Sequence, residues 1–357
     1  MKRQTTAALP EAARRRRAAS WTAVAILLGL PTVLLTLVRL VPDDLGTPWV
    51  QLVTFTPYSP LPLTVAAAGA WMTFRRSRAA FHRVLAGIFA ATLVLQLCWL
   101  VPRFVAHPVS TAGPFLTVMS INARDAKASP EDIVASVRRY KVDVLVVVDL
   151  NRYLARDLRN AGLSLELPQS DVRPVPGGSG LYSRFPLRHE DAPVPEDNSL
   201  RQATVLVENG GSTIPVLFSA VHITSPRPHQ TDEWARTYRL VRDAARPGTP
   251  QVMLGDFNST IDHAGFRDLL AAGFTDAGSG TGQALVPTWP FGAVVPPFAT
   301  IDHVLSSPDL PPAWYTTAPI GGSDHAAVLA RLSLADGGIS WRRTTDESSW
   351  RLTLPPG

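Results

Sequence analysis

A single cysteine, Cys98, leaves the chain without any intrachain disulfide, and it sits inside an apolar run. A fold built from these residues must therefore be stabilised by its core alone. Cysteine ligands and His-x-x-x-His spacing are both lacking, which excludes the common structural zinc sites. Beyond the N-terminal part, the chain also lacks a basic excess. Residues 1–106 carry twelve Lys/Arg against three Asp/Glu, whereas residues 107–335 carry nineteen against twenty-three. The high overall pI thus belongs to the first hundred residues, and the mildly acidic remainder argues against a nonspecific nucleic-acid binder. The glycine run Gly177-Gly178-Ser179-Gly180 lacks the Lys-Ser/Thr that ends a phosphate-binding P-loop, so it is expected to be a flexible turn. Internal repeats are absent as well.

Charge is also missing from three long stretches. Residues 21–41 carry only Arg39, and residues 49–72 and 84–101 carry none. At about 1.5 Å per residue, each approaches the roughly 30 Å of a hydrocarbon core. Three spans are therefore expected, at about 21–41, 49–72 and 84–104. Pro57, Pro60 and Pro62 should kink the middle one. Arg14, Arg15, Arg16 and Arg17 precede the first span, and Arg75, Arg76, Arg78 and Arg83 separate the second from the third. Basic loops stay in the cytoplasm, so the N-terminus is expected inside. Three crossings then carry the rest of the chain to the exterior. With the middle crossing removed, the same rule leaves it in the cytoplasm.

The expected organisation is a basic cytoplasmic N-terminus (1–20), a membrane region (21–105), a linker (106–114), a globular domain (115–335) and a polar, loosely attached tail (336–357). In the globular part, residues 116–121, 144–148, 204–207, 216–221 and 252–254 are apolar and β-branched, which predicts strands. Residues 130–140 and 231–245 have helical periodicity, and Ser129-Pro130-Glu131-Asp132 is a helix start with its cap, proline and acids in order. The mixture implies an α/β sandwich.

Several of these strands end in polar clusters: Ser120-Ile121-Asn122, Val148-Asp149-Leu150-Asn151, Ala220-Val221-His222 and Gly255-Asp256-Phe257-Asn258, joined further on by Ile301-Asp302-His303 and Ser323-Asp324-His325. Carboxylate and amide oxygens are hard donors suited to Mg²⁺, with Mn²⁺ or Ca²⁺ as alternatives. Asn122 and Asp149, with Asp324, form a sufficient donor set. His222 and His325 are candidates for hydrogen-bonding a phosphate or for acid–base work, with Asp302 orienting His325. His303 reads as structural.

Taken together in this order, the segments resemble the endonuclease/exonuclease/phosphatase superfamily, the fold of DNase I-like nucleases, inositol phosphatases and neutral sphingomyelinases. The segment Gly180-Leu181-Tyr182-Ser183-Arg184-Phe185-Pro186-Leu187 adds to the likeness. The resemblance implies a four-layer α/β sandwich and in-line attack of water on phosphorus. It implies that Asn122 and Asp149 bind the metal, with Asp324 in its inner or outer shell. By the same resemblance, His222 holds phosphoryl oxygens, Asp256 orients the attacking water, Asn258 contacts the phosphate and Asp302 pairs with His325. One departure stands out, because the family has Glu where this chain has Asp149. Membrane spans before such a domain resemble an actinobacterial branch that includes VanJ-type teicoplanin-resistance proteins. The implied activity is hydrolysis of a lipid or envelope-precursor phosphoester outside the cell. A surface nuclease is one alternative, and a non-catalytic envelope-binding or resistance module is another.

Overall fold

The computed structural model describes residues 8–109, 113–190, 199–334, 340–343 and 350–353. They divide into two compact units, one built on residues 1–102 and the other on residues from 103 onward, with 262–264 grouped in the first.

The first unit is helical: α1 (Ala8–Leu40), α2 (Trp49–Val53), α3 (Pro60–Ser77) and α4 (Ala80–Leu100). Among the described residues, two helical segments are long and apolar enough to cross a membrane, Ala19–Leu40 and Ala80–Phe104. The middle stretch departs from the single span expected over 49–72. It is divided into α2, a one-turn helix at Thr56–Tyr58 and α3. Prolines explain the breaks, since Pro57 and Pro60 cannot donate an amide and occupy first-turn positions of the new helices. Ala25, Leu63, Ala66, Ala70 and Phe89 form a small core. A buried polar relay crosses it: Ser59 Oγ donates to Gln96 Oε1 (2.8 Å), and Gln96 Nε2 donates to Thr36 Oγ1 (2.6 Å). Leu27, Leu30, Leu34 and Leu37 of α1 remain exposed, a surface suited to an apolar surrounding.

The second unit begins with β1 (Phe115–Asn122), α5 (Pro130–Tyr140), β2 (Val144–Leu150), α6 (Arg152–Asn160), α7 (Leu163–Glu166), β3 (Gln169–Val172), β4 (Gly178–Ser183) and β5 (Leu187–Glu190). It continues with β6 (Leu200–Asn209), β7 (Ser212–His222), α8 (Thr231–Asp243), β8 (Gln251–Asp256), α9 (Ala264–Ala271), β9 (Thr275–Asp276) and α10 (Ala277–Gly280). Strands β10 (Asp302–Ser306), β11 (Pro312–Pro319) and β12 (Ala326–Ser333) follow. In the C-terminal segment, β13 (Ser340–Arg343) pairs antiparallel with β14 (Trp350–Thr353).

Two six-stranded sheets result, ordered β11-β12-β1-β2-β4-β3 and β5-β6-β7-β8-β10-β9. Period-two alternation assigns their faces. Val118, Val146 and Val148 point into the shared core with Val205, Phe218, Leu254 and Val304 of the other sheet. Met119, Ile121, Leu145 and Val147 point the other way, onto Ile133 and Val137 of α5 and Leu154 and Leu158 of α6. Just beyond α8, the Ala244 carbonyl accepts from Gln202 of β6, which ties that helix to the second sheet. The α/β sandwich expected from sequence is thus present.

Helix α5 starts as its sequence predicts: Ser129 Oγ accepts from the Asp132 amide at 3.1 Å. Of the glycine run, Gly177 lies in a turn with a φ of 69°, but the rest does not form the expected flexible turn, because Gly178–Ser183 is a buried strand. A side chain at Gly178 would meet the Arg173 carbonyl at 2.0 Å, so glycine there serves close backbone approach rather than mobility.

Candidate functional site

Register brings the polar groups together. His222 ends β7, Asp256 ends β8 and Asp302 begins β10, and the three pair directly, His222 with Asp256 and Asp256 with Asp302. Gly255 permits this close approach. Its φ of 148° suits glycine, and a Cβ there would lie 1.9 Å from the Val221 carbonyl oxygen. From the facing sheet, β1 delivers Asn122, and His325 immediately precedes β12.

Asp256 is the centre of the cluster and is almost fully buried. Its carboxylate accepts from Asn122 Nδ2 (2.9 Å), from Asn258 Nδ2 (3.1 Å) and from the Asn258 amide (2.8 Å). His222 Nε2 and His325 Nε2 lie 4.0 and 3.9 Å from Asp256 Oδ2. On its far side, the His325 ring uses Nδ1 to meet Asp302 Oδ2 at 2.8 Å. Carboxylate or ring atoms of Asp256, Asp302 and His325 fall within 4.8 Å of one another. Asn258 adopts a left-handed φ of 47°, which lets its side chain turn back onto Asp256 and also donate to the Ile223 carbonyl at 2.7 Å.

These surroundings set the charges. Burial pushes the Asp256 carboxyl up, only partly opposed by the His325 charge. Burial alone would depress His325, but the charges of Asp302 and Asp256 outweigh it and push the imidazole up to about 10. The two neighbouring carboxylates thus favour the imidazolium form of His325.

The predicted metal donors are placed less tightly. Asn122 is buried, with Oδ1 accepting from the Arg124 amide at 2.9 Å. Asp149 follows Val148, the register partner of Asn122 on the neighbouring parallel strand. It sits at a bulge, with a φ of 58°, and Oδ2 accepts from the Asp125 amide at 2.5 Å. The Asp324 side chain pairs with Arg124 at 3.6 Å, both partly exposed. Asn122, His222, Asp256, Asn258, Asp302 and His325 therefore form one connected group. Asp149 and Asp324 flank it through the turn at 124–126. All the candidate donors are oxygens of carboxylates or an amide at adjacent strand ends, which fits a hard divalent cation.

Three further residues support the cluster. Thr288, fully buried, accepts through Oγ1 from the Ile301 and Asp302 amides (3.0 and 3.1 Å), and its carbonyl accepts from Ala326 N (2.9 Å). Ser323 Oγ donates to the Asn122 carbonyl at 2.7 Å and accepts from the His325 amide at 3.0 Å. Arg124 faces Asp324. Ser323 stands in the Ser-Asp-His run and was legible there, whereas a lone threonine in a proline-rich loop carries no signal.

Behind the site, His303 and Asp276 form a second buried pair, with Nδ1 2.9 Å from Asp276 Oδ1 and Nε2 3.1 Å from the Ser259 carbonyl. Burial opposes its charge, but bonding to Asp276 pushes His303 above its ordinary value, and His303 in turn holds Asp276 below its own.

The family model described as "Endonuclease/Exonuclease/phosphatase family" matches residues 119–325, more than half of the chain and every residue of the cluster. The chain belongs to the endonuclease/exonuclease/phosphatase family. Its members are typically hydrolases acting on phosphoesters, and the two-sheet sandwich is consistent with a DNase I-like fold. No curated protein matches the chain. Among solved structures, similar chains include TDP2 from D. rerio complexed with a single-strand DNA product (16% identity, 61% of this chain and 99% of that one, TM-score 0.49). An endonuclease/exonuclease/phosphatase from Beutenbergia cavernae is 20% identical over 67% of this chain and 77% of that one, with a TM-score of 0.49. A mannosyl-6-phosphatase from Bacteroides thetaiotaomicron is 17% identical over 61% and 99%, with a TM-score of 0.45.

Proposed function

We propose that the chain is a divalent-metal-dependent phosphoester hydrolase, membrane-anchored and facing the cell exterior, that acts on a lipid or envelope-precursor phosphoester. The observation that carries the hydrolase reading is the buried triad of Asp302, His325 and Asp256 at one end of the two sheets. His325, held as an imidazolium, donates toward a phosphoryl oxygen and offsets the negative charge that grows in the transition state. Asp302 fixes the ring through Nδ1, leaving Nε2 to face the substrate. Asp256, whose raised pKa strengthens it as a proton acceptor, orients a water and takes its proton as the new P–O bond forms and the leaving-group P–O bond breaks. His222 and Asn258 hold phosphoryl oxygens. Asn122, Asp149 and Asp324 would hold Mg²⁺, which when bound supplies Lewis-acid polarisation of the phosphoryl group. Mn²⁺ and Ca²⁺ suit the same oxygen donors.

Membrane attachment is supported by the two apolar helices and by the exposed leucines of α1. The exterior location adds α3 as a third crossing. Its uncharged residues 60–74, at about 1.5 Å each, reach about 22 Å, and Arg75 and Arg76 follow at the end this reading assigns to the cytoplasm. The acidic balance of residues 107–335 favours a lipid-linked phosphoester over DNA. The arrangement of apolar segments before such a domain, which resembles that of VanJ-type proteins, supports the same reading.

The test is an activity screen of the purified full chain. It covers bis-p-nitrophenyl phosphate, p-nitrophenyl phosphate, DNA, polyprenyl phosphates and phospholipids, with Mg²⁺, Mn²⁺ and Ca²⁺ in turn. Metal-dependent release from a lipid-linked ester is the expected result. Release from DNA alone would replace the lipid reading with a nuclease, and no release from any ester would leave the non-catalytic module.

A further inference from the structure

Between Asp276 and Asp302 the chain carries no ionisable side chain. Within this stretch, residues 290–298 form a loop with a closed neck. The Trp289 amide donates to the Ala299 carbonyl (3.0 Å), and the Phe298 and Ala299 amides donate to the Trp289 carbonyl (3.0 and 2.9 Å). The Trp289 and Phe298 rings meet edge to face at 5.7 Å. Pro290, Pro296 and Pro297 restrict the backbone further. At the far end, Val294 is 104% exposed and Val295 55%. Most large apolar side chains of this unit are buried, so two adjacent exposed valines in an uncharged loop form an exception that asks for an apolar partner.

The loop is tied to the catalytic cluster at its base. The Phe291 amide donates to the Asp324 carbonyl at 2.7 Å, one residue before His325. Thr288, just before the neck, holds the Asp302 amide. The base of the loop is therefore anchored beside the Asp302–His325 pair.

A protein partner is a poor match, since a stable protein interface needs about 800 Å² from each side and a polar rim, while this is a narrow uncharged tip. A lipid surface needs only a few apolar groups, provided the domain is held close to it. The chain supplies that tether. The second apolar segment ends at Phe104, and three residues later the His107 amide donates to the Gly280 carbonyl (2.8 Å), at the start of the same uncharged stretch.

We propose that the 290–298 loop seats its Val294–Val295 tip in the headgroup–acyl boundary of a bilayer and so presents a lipid phosphoester to His325. This rests on the membrane-bound hydrolase reading above. The test uses the full chain with Cys98→Ser, a single cysteine at Val294 or at the exposed control Leu165, and a bimane label, reconstituted in phosphatidylcholine/phosphatidylglycerol nanodiscs. Brominated acyl chains should quench the label at 294 about twofold or more beyond that at 165, with aqueous iodide showing the reverse order. A label at 294 that iodide reaches freely and bromine does not would overturn the proposal. Protection from both quenchers would also overturn it, pointing to a second copy of the chain. In parallel, V294D/V295D should leave bis-p-nitrophenyl phosphate hydrolysis unchanged and reduce hydrolysis of a nanodisc-held polyprenyl phosphate by about tenfold. Equal hydrolysis of the nanodisc substrate by both proteins would count against the loop. Bromine quenching without any polyprenyl phosphate hydrolysis would uphold the lipid contact and reject the lipid-substrate reading instead.

Discussion

Replacing Asp302 by Asn removes a charge while keeping the side chain's size and an oxygen that can still accept from His325 Nδ1. In the native site the imidazole rises from 6.5 to about 10. At about 1.4 kcal/mol per unit, that is a preference for the charged ring of roughly 5 kcal/mol. Burial works against this preference, so it depends on the surrounding carboxylates, of which Asp302 comes first. Without its charge, the His325 pKa should fall by about 2 units, into the range an opposite charge within hydrogen-bond distance normally controls. The sign follows from the donor role. A reaction that needs the imidazolium proceeds below the His325 pKa and fails above it. The basic limb of kcat/KM for bis-p-nitrophenyl phosphate should therefore move to lower pH in Asp302→Asn. Relative to its own low-pH plateau, the variant should keep its rate near about pH 6, fall to about half near about pH 8 and lose about 100-fold near about pH 10, where the wild type keeps about half. Stability should follow the same sense. A folded-state pKa above the unfolded value stabilises the native protein fully below 6.5, and that contribution is lost as pH rises toward 10. A basic limb that coincides in wild type and variant would refute the assignment of His325 as a cationic donor.

Asp256→Asn keeps the shape of the carboxylate but removes its basicity, and is expected to lower hydrolysis by about 100-fold or more while leaving the circular dichroism spectrum intact. Asp149→Glu lengthens the carboxylate by one methylene, and should lower the Mg²⁺ concentration for half-maximal activity by about tenfold, read from a metal titration. Asp276→Asn strands the buried His303 charge and should destabilise the domain by about 3–5 kcal/mol in denaturant unfolding. The pair's contribution should fade on both sides, as Asp276 is protonated at low pH below its ordinary range and as His303 deprotonates above 6.5.

Much of this is legible in the sequence alone. The strands at 116–121, 144–148 and 252–254 declare themselves by β-branched apolar runs, and α5 by its cap, because these signals are local. The polar residues closing those strands mark the site for the same reason. Tertiary constraints are what sequence conceals. Gly178 looks like a hinge, but it lies in a strand because neighbouring backbone fills the space a side chain would need. The middle apolar stretch has enough uncharged residues for one span, yet its prolines divide it. Asp149 reads as a plain metal ligand, whereas its bulge and left-handed φ turn one carboxylate oxygen onto the Asp125 amide. The weight carried by Thr288 comes only from chain crossing, as its hydroxyl receives two amides from a segment thirteen residues away.

The most direct measurement is hydrolysis of bis-p-nitrophenyl phosphate by the full chain in ¹⁸O-labelled water, with Mg²⁺ and with EDTA, for wild type and His325→Ala. Attack on phosphorus predicts label in the phosphate product and none in the p-nitrophenol, with release lost both on chelation and in the variant. Label in the phenol, or release that survives EDTA and the loss of His325, would contradict the account.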